Sequence, residues 1–157
     1  MTPESHVPDD GARTQSVLER AQRARFLIIV QTLVFDDAGR LLLLRRSNTG
    51  FMDGWYSLPG GHRDAGESVV DAARRECIEE ACVTVEQIEP VVVMPYAGGV
   101  DFIFEATRWS GTPSIGEPDK CDALTFAALD ALPEPTTRFV KAALECRGNG
   151  VWYREFE

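Results

Sequence analysis

The sequence predicts a mixed α/β (α+β) fold, an α/β/α sandwich in which mixed sheet lies between helices. Runs rich in β-branched and aromatic residues stand before and after one central helical pattern, and a second helical pattern lies near the end of the chain. The length of 157 residues, with 44% hydrophobic and 26% charged residues, suits one globular domain and excludes a disordered or fibrous chain. No apolar run approaches the roughly 18 residues that cross a bilayer.

The first dozen residues mix Pro, Asp, Gly and Thr without period. Residues 1–22 therefore read as a flexible tail, with room for a short helix over 17–25, and the folded domain as 23–157. FLIIVQTLVF (26–35) reads as a strand, Asp36-Asp37-Ala38-Gly39 as a turn, and LLLLRR (41–46) as the returning arm of a hairpin. The stretch SNTGFMDGWYSLPGGHRDAG (47–66) has neither the helical nor the strand period. Its length and glycines mark it as a functional loop.

The central helix carries the clearest signal. Asp64 stands three residues before Glu67, an N-cap and capping-box arrangement, and ESVVDAARRECIEEA (67–81) follows. At about 100° per residue, Val70, Ala73, Cys77 and Ala81 share an arc of roughly 80°. Glu76, Glu79 and Glu80 fall on the neighbouring arc, so one face can dock on a sheet while the glutamates stay accessible at its edge. Downstream, VTVEQIEPVVVMPY and VDFIFEATRW bracket Ala97-Gly98-Gly99 as a second, longer hairpin. SGTPSIGEPDK reads as a loop, CDALTFAAL as a weaker strand, and Thr136–Arg147 as an amphipathic helix that Gly148 ends. The alternating tail VWYREFE adds a last short strand.

A formal net charge of −9 argues against nucleic-acid or anionic-membrane partners. The charge is unevenly spread. Residues 41–75 carry five Arg against four Asp/Glu, whereas 76–157 carry six Lys/Arg against fifteen Asp/Glu. An acidic protein that takes a phosphate ligand needs a divalent cation or local arginines to offset repulsion. Four cysteines without a CxxC pair suit a reducing compartment. The N-terminus lacks the basic-then-apolar order of a signal peptide, so a cytoplasmic location is expected.

Glu76, Glu79 and Glu80 relate as i, i+3 and i+4 and meet on one side of the helix. Alone, such a set is either a solvated acidic face or a site for a hard cation such as Mg²⁺ or Mn²⁺. The flanking residues separate the two. Gly61, five residues, Glu67, seven residues, then Arg75-Glu76-Cys77-Ile78-Glu79-Glu80-Ala81-Cys82-Val83 closely resembles the Nudix box, Gly-x5-Glu-x7-Arg-Glu-U-x-Glu-Glu-x-Gly-U, with U bulky and aliphatic. Six fixed positions agree, and the preceding YSLPGGH is similar to the family's approach to the box. Two positions depart. Cys77 stands where Leu or Ile is usual, and a buried Cys is a small hydrophobe. Cys82 replaces the Gly after the helix, where a left-handed backbone would cost about 1–2 kcal/mol.

The resemblance implies a Nudix-type α/β/α sandwich over about 23–157 and hydrolysis of a nucleoside diphosphate linked to another moiety. By that likeness the Gly60 carbonyl, Glu76, Glu79 and Glu80 hold Mg²⁺, with Mn²⁺ as substitute, and Glu76 is the first choice for the base that deprotonates water. Glu117, in IGEPDKC, is the candidate loop carboxylate for a further metal contact or for the base. Glu67, Arg75 and Gly61 are expected to support the carboxylates, Arg75 by bidentate pairing.

For substrate, Arg45 and Arg46 either meet phosphates or remain solvated at a strand end, and Trp55, with Phe51 and Tyr56, either stacks on a base or fills core. The extra markers expected of the NADH-, coenzyme A-, ADP-ribose- and dinucleoside-cleaving types are missing. By elimination the expected reaction takes a (d)NTP to the monophosphate and pyrophosphate. The competing expectation is a non-catalytic nucleotide-binding or regulatory module on the same fold. A small nucleotide is the expected partner, and a homodimer is carried from related folds, with no apolar stripe to fix an interface.

Overall fold

The computed structural model describes residues 25–157. The expected tail over 1–22 and nearly all of the short helix over 17–25 lie outside the described residues. The elements are β1 (Leu27–Val34), β2 (Leu41–Arg46), β3 (Tyr56–Ser57), β4 (Gly60–His62), α1 (Val69–Ala81), β5 (Thr84–Tyr96), β6 (Gly99–Ser110), β7 (Cys121–Ala127) and α2 (Arg138–Asn149). They form a four-stranded sheet, β4-β1-β6-β5, and a three-stranded sheet, β3-β2-β7. The larger sheet is mixed: β1 runs parallel to β6 and antiparallel to β4.

The core is divided by the strand period of two. Val30 and Val34 of β1, with Leu42 and Leu44 of β2, pack towards α1 through Ala72, Ala73, Cys77 and Ala81. Leu33 of β1, with Leu41 and Leu43 of β2, packs towards α2 through Val140, Ala142, Ala143 and Cys146. The two helices therefore cover opposite sides of the sheets, giving the expected sandwich.

The first expected hairpin is corrected by this arrangement. β1 and β2 belong to different sheets and meet only at the Phe35–Leu41 bridge. The cause lies in LLLLRR itself. Leu41 to Leu44 are all buried, so both faces of β2 are covered, whereas an arm lying on a one-sided sheet buries alternate residues. The turn holds as expected, with Asp36 Oδ1 accepting from the Ala38 and Arg40 N–H groups at 3.0 and 2.8 Å.

The stretch 47–66 contains β3 and β4, which sequence reading passed over because two- and three-residue strands have no period. β3 pairs with β2 and β4 with β1, so Leu58-Pro59 carries the chain from one sheet to the other. This crossing sets Gly60 and Gly61 beside the C-terminal half of α1.

Three element ends differ from expectation. The N-cap of α1 is Ser68, whose Oγ accepts from the Asp71 N–H at 3.0 Å. Asp64 does not cap; Glu67 Oε2 instead accepts from the Asp64 N–H at 3.1 Å in the turn before the helix. Gly150, not Gly148, ends α2 in the left-handed conformation. The tail makes no strand. It runs along β5 as a bridge, with the Val93 N–H donating to Trp152 O and the Arg154 N–H to Val93 O. Pro95 has no N–H to extend the pairing, and contributes only its carbonyl to Phe156. The second hairpin, β5 with β6, forms as expected, with register shifts between Val85 and Ile88 and between Pro90 and Val92. No helix among the described residues is long and apolar enough to cross a membrane.

Candidate active site

The C-terminal half of α1 forms one wall of a cleft of about 740 Å³. Glu76 is buried there at 8% exposure, Glu80 is half-buried and Glu79 is exposed. β4 forms the facing wall. The Gly60 N–H donates to Glu80 Oε2 at 2.9 Å. A Cβ on Gly61 would stand 2.6–2.9 Å from the Glu76 carboxyl atoms, so only glycine leaves that carboxylate its place.

Arg75 organises the set. Its Nε and Nη2 grip Glu67 at 2.9 and 3.1 Å, Nη1 reaches Glu76 at 2.8 Å and Glu79 at 3.0 Å, and Nη2 also donates to the His62 carbonyl at 3.0 Å. The hydrogen bonds from Arg75 hold Glu67 below the usual carboxylate range, and Glu67 in turn raises the Arg75 guanidinium further above its ordinary value. The five donors of a guanidinium make this possible.

The two inner carboxylates are under electrostatic load. Burial raises Glu76, against the opposing pull of Arg75 and with a further push from Glu79 and Glu117. Burial pushes Glu80 up to about 7, opposed by the Gly60 hydrogen bond and assisted by Glu76 and Glu117. Among the described residues no three acidic, His or Cys side chains converge into a ready cation cage, and Arg75 engages Glu76 and Glu79. The donor set nonetheless fits a hard divalent cation. It is oxygen-only, half-buried, and holds repelling carboxylates whose ionised forms such a cation would favour.

Glu117 joins this wall through the backbone. The last carbonyls of α1 need partners, and the loop after β6 supplies them. The Gly116 N–H donates to Glu80 O at 2.9 Å and the Ser114 N–H to Ala81 O at 3.0 Å. A Cβ on Gly116 would stand 2.0 Å from Glu79 O, so glycine is required for this approach. Glu117 is thereby fixed in the cleft, where Lys120 Nζ pairs with it at 2.9 Å.

Arg45 and Arg46 both line the cleft. Arg45 pairs with Asp122 at 2.7 Å; Arg46 donates to Phe51 O at 2.8 Å and lies over the Phe51 ring, 5.7 Å from its centroid. Trp55 is not among the lining residues; exposed Phe51 is, and Tyr56 packs on the core. Sequence reading missed Gln31, Tyr96, Asp101, Thr137 and Phe139, which also line the cleft. They sit in no motif. The one available signal was Asp101, a lone acid inside the apolar strand VDFIF.

The NUDIX domain model matches residues 26–145. Among solved structures, the MutT NUDIX hydrolase from Burkholderia pseudomallei is 32% identical, with a TM-score of 0.72 over 78% of this chain and 98% of that one. A NUDIX hydrolase from Nitrosomonas europaea, 19% identical, has a TM-score of 0.67 over 86% of this chain and 82% of its own. An ADP-ribose pyrophosphatase from Streptococcus suis, 21% identical, has a TM-score of 0.59 over 84% of this chain and all of its own. The last two show the shared fold. The chain belongs to the Nudix family and is a Nudix hydrolase.

Proposed function

We propose that this hydrolase splits the pyrophosphate bond of a nucleoside triphosphate, giving the monophosphate and pyrophosphate. The observation that carries this reading is the pair of carboxylates, buried Glu76 and half-buried Glu80, set against the two glycines of β4 in a nucleotide-sized cleft. Mg²⁺, or Mn²⁺ in its place, would be held by the Gly60 carbonyl, Glu76, Glu79 and Glu80, with Glu117 from the loop. Such a cation would screen the polyanionic diphosphate and lower the pKa of the attacking water.

The chain's own groups do the rest. Glu76, buried and with raised proton affinity, takes the proton of the attacking water. Water oxygen forms the new bond to phosphorus as the bridging P–O bond breaks, and pyrophosphate leaves. Arg75 keeps Glu76 and Glu79 pointed at the reaction, while Glu67 anchors Arg75 from the turn before α1. Arg45, Arg46 and Lys120, which line the same cleft, offset the charge of the phosphates. All four cysteines are free thiols, which supports a reducing, cytoplasmic setting.

The test is Glu80→Gln, assayed against a panel of nucleoside triphosphates, ADP-ribose, NADH and dinucleoside polyphosphates with Mg²⁺. Turnover should fall at least about a hundredfold with the fold intact. A fully active variant would place the chemistry elsewhere. A nucleotide that raises the melting temperature of the wild type without EDTA-sensitive turnover would instead favour a binding module.

A further inference from the structure

We propose that Asp101 and Thr137 form the base-recognition end of the cleft, selecting a nucleobase whose edge offers N–H donors, guanine above all. This deepens the nucleotide reading and rests on it. Four buried side-chain polar atoms among the described residues lack a hydrogen-bond partner: Thr32 Oγ1, Arg74 Nε, Asp101 Oδ1 and Thr137 Oγ1. Two of the four line the cleft. Asp101 is 1% exposed and Thr137 3%. Buried polar atoms are normally satisfied, so two orphans lining one cleft mark where a ligand supplies the missing partners.

Thr137 strengthens the case. It is the N-cap of α2, where a threonine hydroxyl usually accepts from the first turn, yet it makes no capping bond. Its hydroxyl is left free to donate or accept at the cleft. The helix it begins also brings Phe139, whose ring lies 6.1 Å from that of Tyr96, and both line the cleft with Ile29, giving aromatic and apolar walls for a flat ring.

The spacing agrees with a nucleotide lying across the larger sheet. His62, Ile29 and Asp101 occupy one row of paired residues over β4, β1 and β6. Two strand spacings, roughly 10 Å, therefore separate β4 from Asp101. Phosphates held beside Gly60 and Glu80 would leave the base over β1 and β6.

The chemistry of Asp101 then sets the base. Burial lifts its carboxyl to about 6, opposed by Gln31, so at pH 8 it is mainly ionised. An ionised carboxylate accepts only. The guanine edge offers two adjacent donors, N1–H and the N2 amino group, which match it. Adenine and cytosine offer an amino group beside a bare ring acceptor. Uracil offers one N–H between two carbonyl oxygens, which the carboxylate repels. Thr137, donor or acceptor as needed, complements the remaining edge atom.

The test titrates the metal-free protein in EDTA at pH 8 with GMP, AMP, CMP and UMP by calorimetry. GMP should bind at least about tenfold more tightly than UMP. Asp101→Asn should bring that ratio to within about threefold, and Thr137→Val should weaken GMP binding with the circular dichroism spectrum unchanged. Equal affinity for all four, a ratio untouched by Asp101→Asn, or no nucleotide binding would overturn the assignment. Mg²⁺-dependent turnover of the triphosphates, run on the same samples, separates the two readings. Turnover without base preference defeats base selection alone, whereas GMP preference without turnover leaves base selection standing and removes hydrolysis.

Discussion

Arg75 holds Glu67 with both arms of its guanidinium fork, Nε to Oε1 at 2.9 Å and Nη2 to Oε2 at 3.1 Å. The remaining nitrogen, Nη1, reaches Glu76 and Glu79. One side chain thus ties the turn before α1 to the carboxylates of its C-terminal half. The planar fork serves both groups at once, and a lysine ammonium on the same stem cannot.

Arg75→Lys should therefore lower stability and activity together. The bidentate grip on Glu67 is lost, and Glu76 and Glu79 lose their shared donor, at a cost of about 1–3 kcal/mol for hydrogen bonds to charged groups. With the carboxylates no longer fixed, turnover should fall at least about tenfold. Urea denaturation and steady-state kinetics read the two effects. Wild-type values in both would mean that Arg75 is only a solvated neighbour.

Long, strongly periodic segments were legible in the sequence. α1 spans thirteen residues and β5–β6 twenty-five, and each shows its own spacing of apolar positions. β3 and β4 were not, since two or three residues set no period, yet β4 is what brings Gly60 and Gly61 to the carboxylates. The first hairpin was misread because sequence neighbours usually pair, and only the burial of all four leucines in β2 shows that they do not here. At the site, the i, i+3, i+4 spacing makes Glu76, Glu79 and Glu80 readable on a helix. Glu117 depends on a loop docking onto helix carbonyls, and Asp101 and Thr137 on two elements far apart in the sequence lining one cleft, neither of which has a local pattern.

Cys82 adopts φ 56° and ψ 32°, the left-handed conformation that the missing box glycine would occupy without strain. Its N–H still closes the helix on Ile78 O, and the Val83 N–H reaches Cys77 O, so the geometry is imposed by the cap and not by the residue. The exposed thiol makes no disulfide. Cys82→Gly should raise stability by about 1 kcal/mol and leave turnover unchanged. Thermal unfolding and a turnover assay check this, and a clearly less stable variant would show that the thiol contributes packing that outweighs the strain.

Asp101 makes stability depend on pH in a direction opposite to that of a paired surface acid. Burial lifts its carboxyl from 3.8 to about 6, so the folded chain binds a proton more readily than the unfolded one. The stabilisation from this group is complete below about pH 4 and is lost as pH rises through 6. A displacement of about two pK units corresponds to about 3 kcal/mol of cost at pH 8. Asp101→Asn removes the charge while keeping the shape. Compared by urea denaturation, the variant should be about 2–3 kcal/mol more stable than wild type at pH 8, and the difference should close as pH falls to 4. A difference that stays constant over that range would mean that Asp101 titrates alike in both states and that burial does not load its carboxylate.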